Sequence, residues 1–114
     1  MTATLEAPAV IPKPAVPFVE LDAVIHERAR LGIMSMLAAS RALAFNDLKA
    51  SLGLTDGNLS VHMRILERAG FVEVEKSFVM RRPRTTFRMT RKGRRAFEDY
   101  LAVLEKVTKG VRIA

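Results

Sequence analysis

The chain has 114 residues, no cysteine, two histidines and a formal net charge of +7. That length suits one domain with a single core, and the lack of cysteine excludes disulfides and thiolate metal sites. No apolar run approaches the roughly 18 residues of a membrane span, and the first six residues carry no basic leader. We therefore expect a cytoplasmic protein without a metal, another cofactor or a membrane partner.

The positive charge is concentrated in one part of the chain. Residues 58–95 hold eleven Lys and Arg against three Glu, a net charge of +8, which leaves −1 for the rest of the chain. Such a local excess is typical of a surface that binds nucleic acid. A membrane-binding surface is disfavoured because this segment is not one continuous amphipathic helix.

The N-terminal part divides into an arm and a first helix. Four of the five prolines lie at positions 8, 12, 14 and 17, so residues 1–20 are predicted to form an extended arm. The apolar pattern of residues 22–39 predicts a helix, with Asp22 as its cap. Residues 21–109 should form the domain, and residues 110–114 a tail.

Two helices separated by a tight turn follow. Leu43 and Phe45 alternate as in a very short strand, and residues 46–52 should form a helix capped by Asn46. Gly53 marks the turn. The next helix is predicted over residues 56–68, with Thr55 as its N-cap and Gly70 as the left-handed residue after its end.

A β-hairpin and a last helix complete the domain. Residues 72–77 and 86–90 alternate as half-buried strands around a basic loop, residues 80–84. Thr90 should cap a helix that runs from Arg91 to about Lys109. The predicted fold is mainly α with a small β-hairpin wing, an α+β winged helix-turn-helix that dimerises through its first and last helices.

The helix over residues 56–68 has two different faces. Leu59, Met63 and Leu66 cluster on one side, and hydroxyl, amide and guanidinium groups lie on the other. Such groups can pair with base edges or phosphates, although an ordinary solvated helix face looks similar. The predicted DNA contacts of this helix are Thr55, Asn58, Ser60, Val61, Arg64 and Arg68. Those of the wing are Lys76, Arg81, Arg82, Arg84 and Arg88.

The first and last helices carry more apolar residues than one small core can absorb, which favours a homodimer. A wide core stripe with a few exposed residues is the alternative. The predicted dimer contacts are Leu31, Met34, Phe97, Tyr100, Leu101 and Leu104. His26 is interpreted as structural or capping, and His62 as flanking the core.

Three stretches resemble a known group of proteins. Residues 54–76 (LTDGNLSVHMRILERAGFVEVEK), 78–85 (FVMRRPRT) and 90–97 (TRKGRRAF) are similar to the stand-alone winged-helix transcriptional regulators of the MarR and ArsR groups. The resemblance implies a homodimer on duplex DNA, with residues 56–68 as the groove-reading helix and residues 78–86 as the wing. It also allows a small-molecule effector of unknown identity. The Cys or His sites of metal-sensing members do not occur here.

The functional prediction is a sequence-specific regulator that binds double-stranded DNA on a pseudo-palindromic operator. The alternative is a winged-helix interaction module whose basic face binds an acidic protein. An enzyme is not expected, because the sequence shows no nucleophile and base at a recognisable spacing and no glycine-rich phosphate loop.

Overall fold

The computed structural model describes residues 18–114 as an α+β winged helix. In chain order the elements are a short 3-10 turn (Phe18–Glu20), α1 (Arg28–Ala38), β1 (Leu43–Ala44), α2 (Phe45–Leu52), α3 (Asp56–Arg68), β2 (Val72–Val79), β3 (Arg82–Met89) and α4 (Arg91–Thr108). The predicted fold class is therefore confirmed. Most of the predicted arm, residues 1–17, lies outside the described residues. None of the described helices is long and apolar enough to cross a membrane.

The first helix begins six residues later than predicted. The Asp22 carboxylate accepts hydrogen bonds from the backbone of Val24 at 2.8 Å and Ile25 at 3.3 Å, and so closes a turn. Helix α1 begins at Arg28 with Glu27 as its N-cap, whose side chain accepts from the Arg30 amide at 2.8 Å. The prediction of Asp22 as the helix cap is wrong because the same side-chain chemistry closes turns and caps helices.

The start of α2 also differs from the prediction. The short strand β1 pairs Leu43 with Phe87 and Ala44 with Thr86 on β3, which confirms the predicted added strand. Its extended backbone leads directly into α2, so Ala44 is the N-cap without a side-chain bond, and Asn46 is not the cap. The helix ends at Gly53, whose positive φ of +64° is inexpensive for glycine.

Helix α3 has the predicted bounds because both its ends are capped by local chemistry. The Thr55 hydroxyl accepts from the Asn58 amide at 3.2 Å. At the other end Gly70 has φ +80°, and the amides of Gly70 and Phe71 donate to the carbonyls of Glu67 and Leu66 at 2.9 and 3.0 Å. This is the Schellman arrangement, which satisfies carbonyls that the helix leaves free.

The wing is a longer and tighter hairpin than predicted. The three-stranded sheet has the order β1-β3-β2, and β2 pairs with β3 without interruption from Val72 with Met89 to Val79 with Arg82. The predicted five-residue basic loop is therefore a two-residue turn. Its residues, Met80 and Arg81, have φ values of +52° and +68°. Left-handed backbone costs a residue other than glycine about 1–2 kcal/mol.

The core lies between the helices and one face of the sheet. Helix α1 packs against α2, α3 and β3, so apolar residues on more than one of its faces are absorbed within the chain. Met34 is fully buried for this reason, and Phe97 and Tyr100 on α4 are only 6% and 2% exposed. The prediction that these three residues form a dimer surface is wrong, since they already pack inside one chain.

The other predicted dimer contacts lie nearer the surface. Leu31 and Leu104 are partly buried against the core, while Leu101 is 46% exposed. His26 has the predicted structural role, because its Nδ1 lies 2.7 Å from the hydroxyl of Tyr100. Burial raises the pKa of Tyr100 above its usual value of 10.0, so the phenol keeps its proton in this contact.

A compact junction joins the end of α3 to the start of α4. The Thr90 hydroxyl donates to the Gly70 carbonyl at 2.6 Å and accepts from the Gly93 amide at 2.9 Å. The Thr90 amide donates to the Phe71 carbonyl at 3.0 Å. Gly93 lies so close to the backbone of Phe71 that a Cβ atom built on it would lie 2.0 Å from the carbonyl oxygen of Phe71. Only glycine fits there without moving the backbone.

We predict that Gly93→Ala destabilises the fold, because backbone atoms of Phe71 cannot yield as a flexible side chain would. The expected loss in the free energy of unfolding, measured by urea titration, is about 2–3 kcal/mol. Gly57→Ala is the matched control, because its added methyl group meets nothing within 4 Å. This control should leave stability unchanged or raise it by up to about 1 kcal/mol. Equal effects of the two changes would contradict the close packing at Gly93.

Candidate nucleic-acid interface

Helix α3 presents one buried and one open face. Leu59 and Leu66 are fully buried and Met63 is 3% exposed, so this side anchors the helix on the core. The predicted contact residues lie on or beside the outer face, where Val61 is 50% exposed. Thr55, Asn58, Arg64 and Arg68 are exposed and Ser60 is half-buried. The helix thus offers amide, hydroxyl, apolar and guanidinium groups on one side.

The structure contains an ion pair at the beginning of α3 that was not predicted from the sequence. The Lys49 ammonium on α2 lies 2.8 Å from the Asp56 carboxylate, the first residue of α3. A carboxylate in this position is favourable because it faces the positive end of the helix dipole. Asp56 fits the sequence signal for a first helical turn, but the pairing with Lys49 depends on the angle between the two helices.

The wing residues divide between the two faces of the hairpin. Since side chains alternate along a strand, Lys76 lies on the same face as Val74 and Phe87. There it lines a cleft of about 460 Å³ together with Ser60 and Arg64 of α3. The sequence-based prediction did not distinguish the two faces of the hairpin.

The remaining predicted wing residues lie at the tip or on the other face. Arg82, Arg84 and Arg88 alternate away from the core face of β3, and Arg81 lies in the turn. Arg88 forms an ion pair with Glu73 on the neighbouring strand, with Nε 2.6 Å from Oε1. Its charge is therefore largely balanced within the protein.

The other predicted basic residues form no ion pair within the described part of the chain. Within residues 18–114 the ion pairs join Glu27 to Arg30 and His62, Lys49 to Asp56, and Glu73 to Arg88. The predicted contacts without a carboxylate partner in this range are Arg64, Arg68, Lys76, Arg81, Arg82 and Arg84. A surface on which cations are exposed and unpaired attracts phosphate groups.

A polar cluster fixes the back of α3 to the start of α1. Arg30 Nη1 lies 3.0 Å from Nδ1 of His62, and this nitrogen is 3.6 Å from the Glu27 carboxylate. Arg30 also donates through Nε to the Val24 carbonyl. The interpretation of His62 as flanking the core agrees with its side chain, which is only 21% exposed, but its contact with Arg30 was not predicted.

The ionisation of Glu27 is tied to this cluster. Burial raises the pKa of its carboxyl. The hydrogen bonds from the backbone amides of Arg30 and Ala29 and the charges of His62 and Arg30 lower this pKa, and together they outweigh the effect of burial. The net pKa lies below the usual value of 4.5. A carboxyl with a depressed pKa stabilises the folded state above its unfolded pKa, and this stabilisation is lost as the pH falls through the folded pKa.

We therefore predict that Glu27→Gln lowers the free energy of unfolding at pH 7 by less than about 1 kcal/mol, because solvent screens a side chain that is 34% exposed. The difference from the unmodified protein should stay constant down to about pH 4.5 and shrink below it. Urea titrations across this range test the prediction. Glu98→Gln controls for net charge, since the exposed Glu98 makes no ion pair within the described residues. If the difference in the free energy of unfolding grew as the pH fell, the pKa of Glu27 would not be lowered in the folded state.

The arrangement of α2, a tight turn, α3 and a basic hairpin defines a winged helix-turn-helix protein. Residues 29–108 match the family described as a winged helix DNA-binding domain, and the chain belongs to this family. The family is one of DNA-binding domains and not of enzymes, which supports the predicted regulator.

Two archaeal proteins are similar to this chain over most of its length. An uncharacterised protein of Methanocaldococcus jannaschii is 38% identical over 88 residues, which cover 77% of this chain and 96% of that protein. The structure of a transcriptional regulator homologue from Pyrococcus horikoshii has a TM-score of 0.74 and 36% identity, and the match covers 79% of this chain and 89% of that one.

A structure of lower sequence identity shares the fold. A protein of Enterococcus faecalis assigned to the MarR family of transcriptional regulators has a TM-score of 0.65 and 21% identity, with 73% of this chain and 74% of that chain covered. At this identity the likeness establishes a shared fold. This protein and the present chain thus share the winged-helix fold.

Proposed function

We propose that the protein regulates transcription by binding double-stranded DNA sequence-specifically, as a homodimer on a pseudo-palindromic operator. The observation that carries this proposal is the open face of α3. Its polar and cationic side chains are exposed, and Arg64 and Arg68 have no carboxylate partner among residues 18–114. A helix of this kind fits the major groove, whose width admits an α-helix.

The groups on α3 match different features of the groove. Asn58 can pair with the edge of adenine, and Arg64 can donate two hydrogen bonds to guanine. Val61, which is half exposed, suits the methyl group of thymine. Thr55 and Ser60 can donate to bases or phosphates, and Arg68, in the last turn of the helix, can reach the phosphate backbone.

The wing supplies contacts of another kind. Lys76 lies across the cleft from Arg64, so it can meet the phosphates at the edge of the same groove. Arg82 and Arg84 are exposed near the wing tip and can reach phosphates farther along the duplex. Such contacts set the register of the protein on DNA and carry little sequence information. We assign Arg88 no DNA contact, because it pairs with Glu73.

The dimer is supported by apolar side chains that the chain leaves exposed near its C-terminus. Leu101 is 46%, Val111 68% and Ile113 98% exposed, and Leu104 lies partly buried one turn beyond Leu101. We propose that residues 21–109 form the DNA-binding domain with α4 as its dimerisation helix, flanked by an arm and a tail. Two-fold symmetry would then place the two recognition helices in successive major grooves, about 34–36 Å apart.

We predict that Leu101→Glu disrupts the dimer, since it buries a charge at an apolar interface. Light scattering at micromolar concentration should give the mass of two chains for the unmodified protein and of one chain for the variant. Val61→Glu is the matched control, because Val61 is similarly exposed, at 50%, but lies on α3. It should keep the dimer mass. A monomer mass for the unmodified protein would contradict both the dimer and the palindromic operator.

We predict that changes on the helix and on the wing affect DNA binding differently. Asn58→Ala or Arg64→Ala should reduce the preference for the cognate site over a random duplex by about 1–3 kcal/mol, because each removes a base contact. Arg82→Ala or Arg84→Ala should weaken binding to both duplexes by similar factors, because a phosphate contact carries no base information.

Fluorescence anisotropy with the two duplexes measures both effects. Arg28→Ala, an exposed residue at the start of α1, controls for the loss of one positive charge outside the interface. It should change neither the affinity nor the preference appreciably. Equal losses of preference for the helix and wing variants would show that these roles are wrongly assigned.

A further inference from the structure

The tip of the wing exposes large apolar side chains. Phe78 is 75%, Val79 47% and Met80 91% exposed. None of them belongs to the core or packs against it. Since water solvates apolar surface unfavourably, the packing of the described core does not account for three such neighbours at the end of a basic hairpin.

The backbone at the tip gives a second, independent indication. Two-residue hairpin loops in which both residues have positive φ strongly favour Asn-Gly or Asp-Gly. Here Met80 and Arg81 occupy the loop, with φ values of +52° and +68°. The chain therefore holds a large thioether and a guanidinium at positions where small, polar residues would be less strained. Strain retained in this way is typical of a site that is kept for binding.

The surroundings of the tip identify what it contacts. Phe78 lies two residues beyond Lys76 on the same face of β2, and Lys76 lines the cleft with Arg64 of α3. The apolar tip is thus continuous with the surface that we assign to DNA. Arg81 and Arg82 stand beside Met80, so the matching partner is anionic at its edges and apolar inside. The minor groove of duplex DNA has this character, with phosphates along its walls and stacked bases at its floor.

We infer, on the basis of the proposed function, that the wing tip enters the minor groove and that Met80 inserts between two adjacent base pairs. Arg81 and Arg82 hold the phosphates on either side. An unbranched, flexible thioether suits such a gap, and apolar wedges of this kind unstack and bend the duplex. The insertion gives the wing a preference for flexible pyrimidine–purine steps, which unstack most readily.

The test uses the full chain and a duplex that the unmodified protein has selected from a random-sequence library. 2-Aminopurine, whose fluorescence rises when it unstacks, replaces each adenine in turn in the segment that hydroxyl-radical footprinting assigns to the wing. We expect a several-fold rise at one step in each half-site. Met80→Asn should abolish that rise and weaken binding by about tenfold. Asn tolerates left-handed backbone, so this variant should unfold at the same temperature or a higher one.

Val19→Asn is the matched control, because Val19 is 73% exposed but lies in the short 3-10 turn at residues 18–20, outside the wing. It should leave the fluorescence rise unchanged. Tight binding without a rise at any step, or an undiminished rise with Met80→Asn, would overturn the insertion while leaving the proposed function intact. If the Met80→Asn variant without DNA had a lower oligomer mass than the unmodified protein, the wing tip would be a contact between copies of the chain. This result would also overturn the insertion. Failure of the unmodified protein to bind any duplex would overturn the proposed function and the insertion together.

Discussion

One hydroxyl group joins the end of α3, the proposed DNA-reading helix, to the start of α4. Thr90 bonds to Gly70 just after α3 and to Gly93 in the first turn of α4, at 2.6 and 2.9 Å, while the contact of Gly93 with Phe71 leaves no room for a side chain. The junction therefore fixes the angle between α3 and α4. If α4 carries the dimer contact, the same junction sets the distance between the two recognition helices, and with it the spacing of the half-sites that the dimer accepts.

The acidic and basic groups around α3 are arranged asymmetrically. At its back and its beginning, Glu27 and Asp56 pair with His62 and Lys49, and these contacts hold the helix to α1 and α2. At its front, Arg64 and Arg68 have no partner within the described part of the chain. Carboxylates thus form ion pairs where they fix the helix, while the guanidinium groups of Arg64 and Arg68 form none within residues 18–114, where phosphates would approach. The result is a rigid support with a cationic outer surface, as a protein that binds a polyanion requires.

How much the sequence could predict depended on how local the determining chemistry is. The bounds of α3 were predicted correctly because Thr55 and Gly70 act within one turn of the helix ends. The start of α1 was not, because the Asp22 carboxylate closes a turn equally well. Met34, Phe97 and Tyr100 looked surplus on single helices, and only the packing of several elements around α1 and α4 shows that they are core. The strands were predicted too short because Met80 and Arg81 do not resemble a two-residue turn.

The central claim is that the unpaired cations of α3 and the wing bind the DNA backbone, and the salt dependence of duplex binding tests it most directly. Each phosphate contact contributes about −0.9 to the slope of log K against log salt concentration. A dimer that makes roughly 6–10 such contacts should lose a factor of about 10³–10⁵ in affinity for a mixed-sequence duplex between about 50 and 200 mM salt. Binding that is strong at low salt and falls with this slope would support the account. Absence of binding to any duplex at the lower salt concentration, or an affinity unchanged between the two, would contradict it.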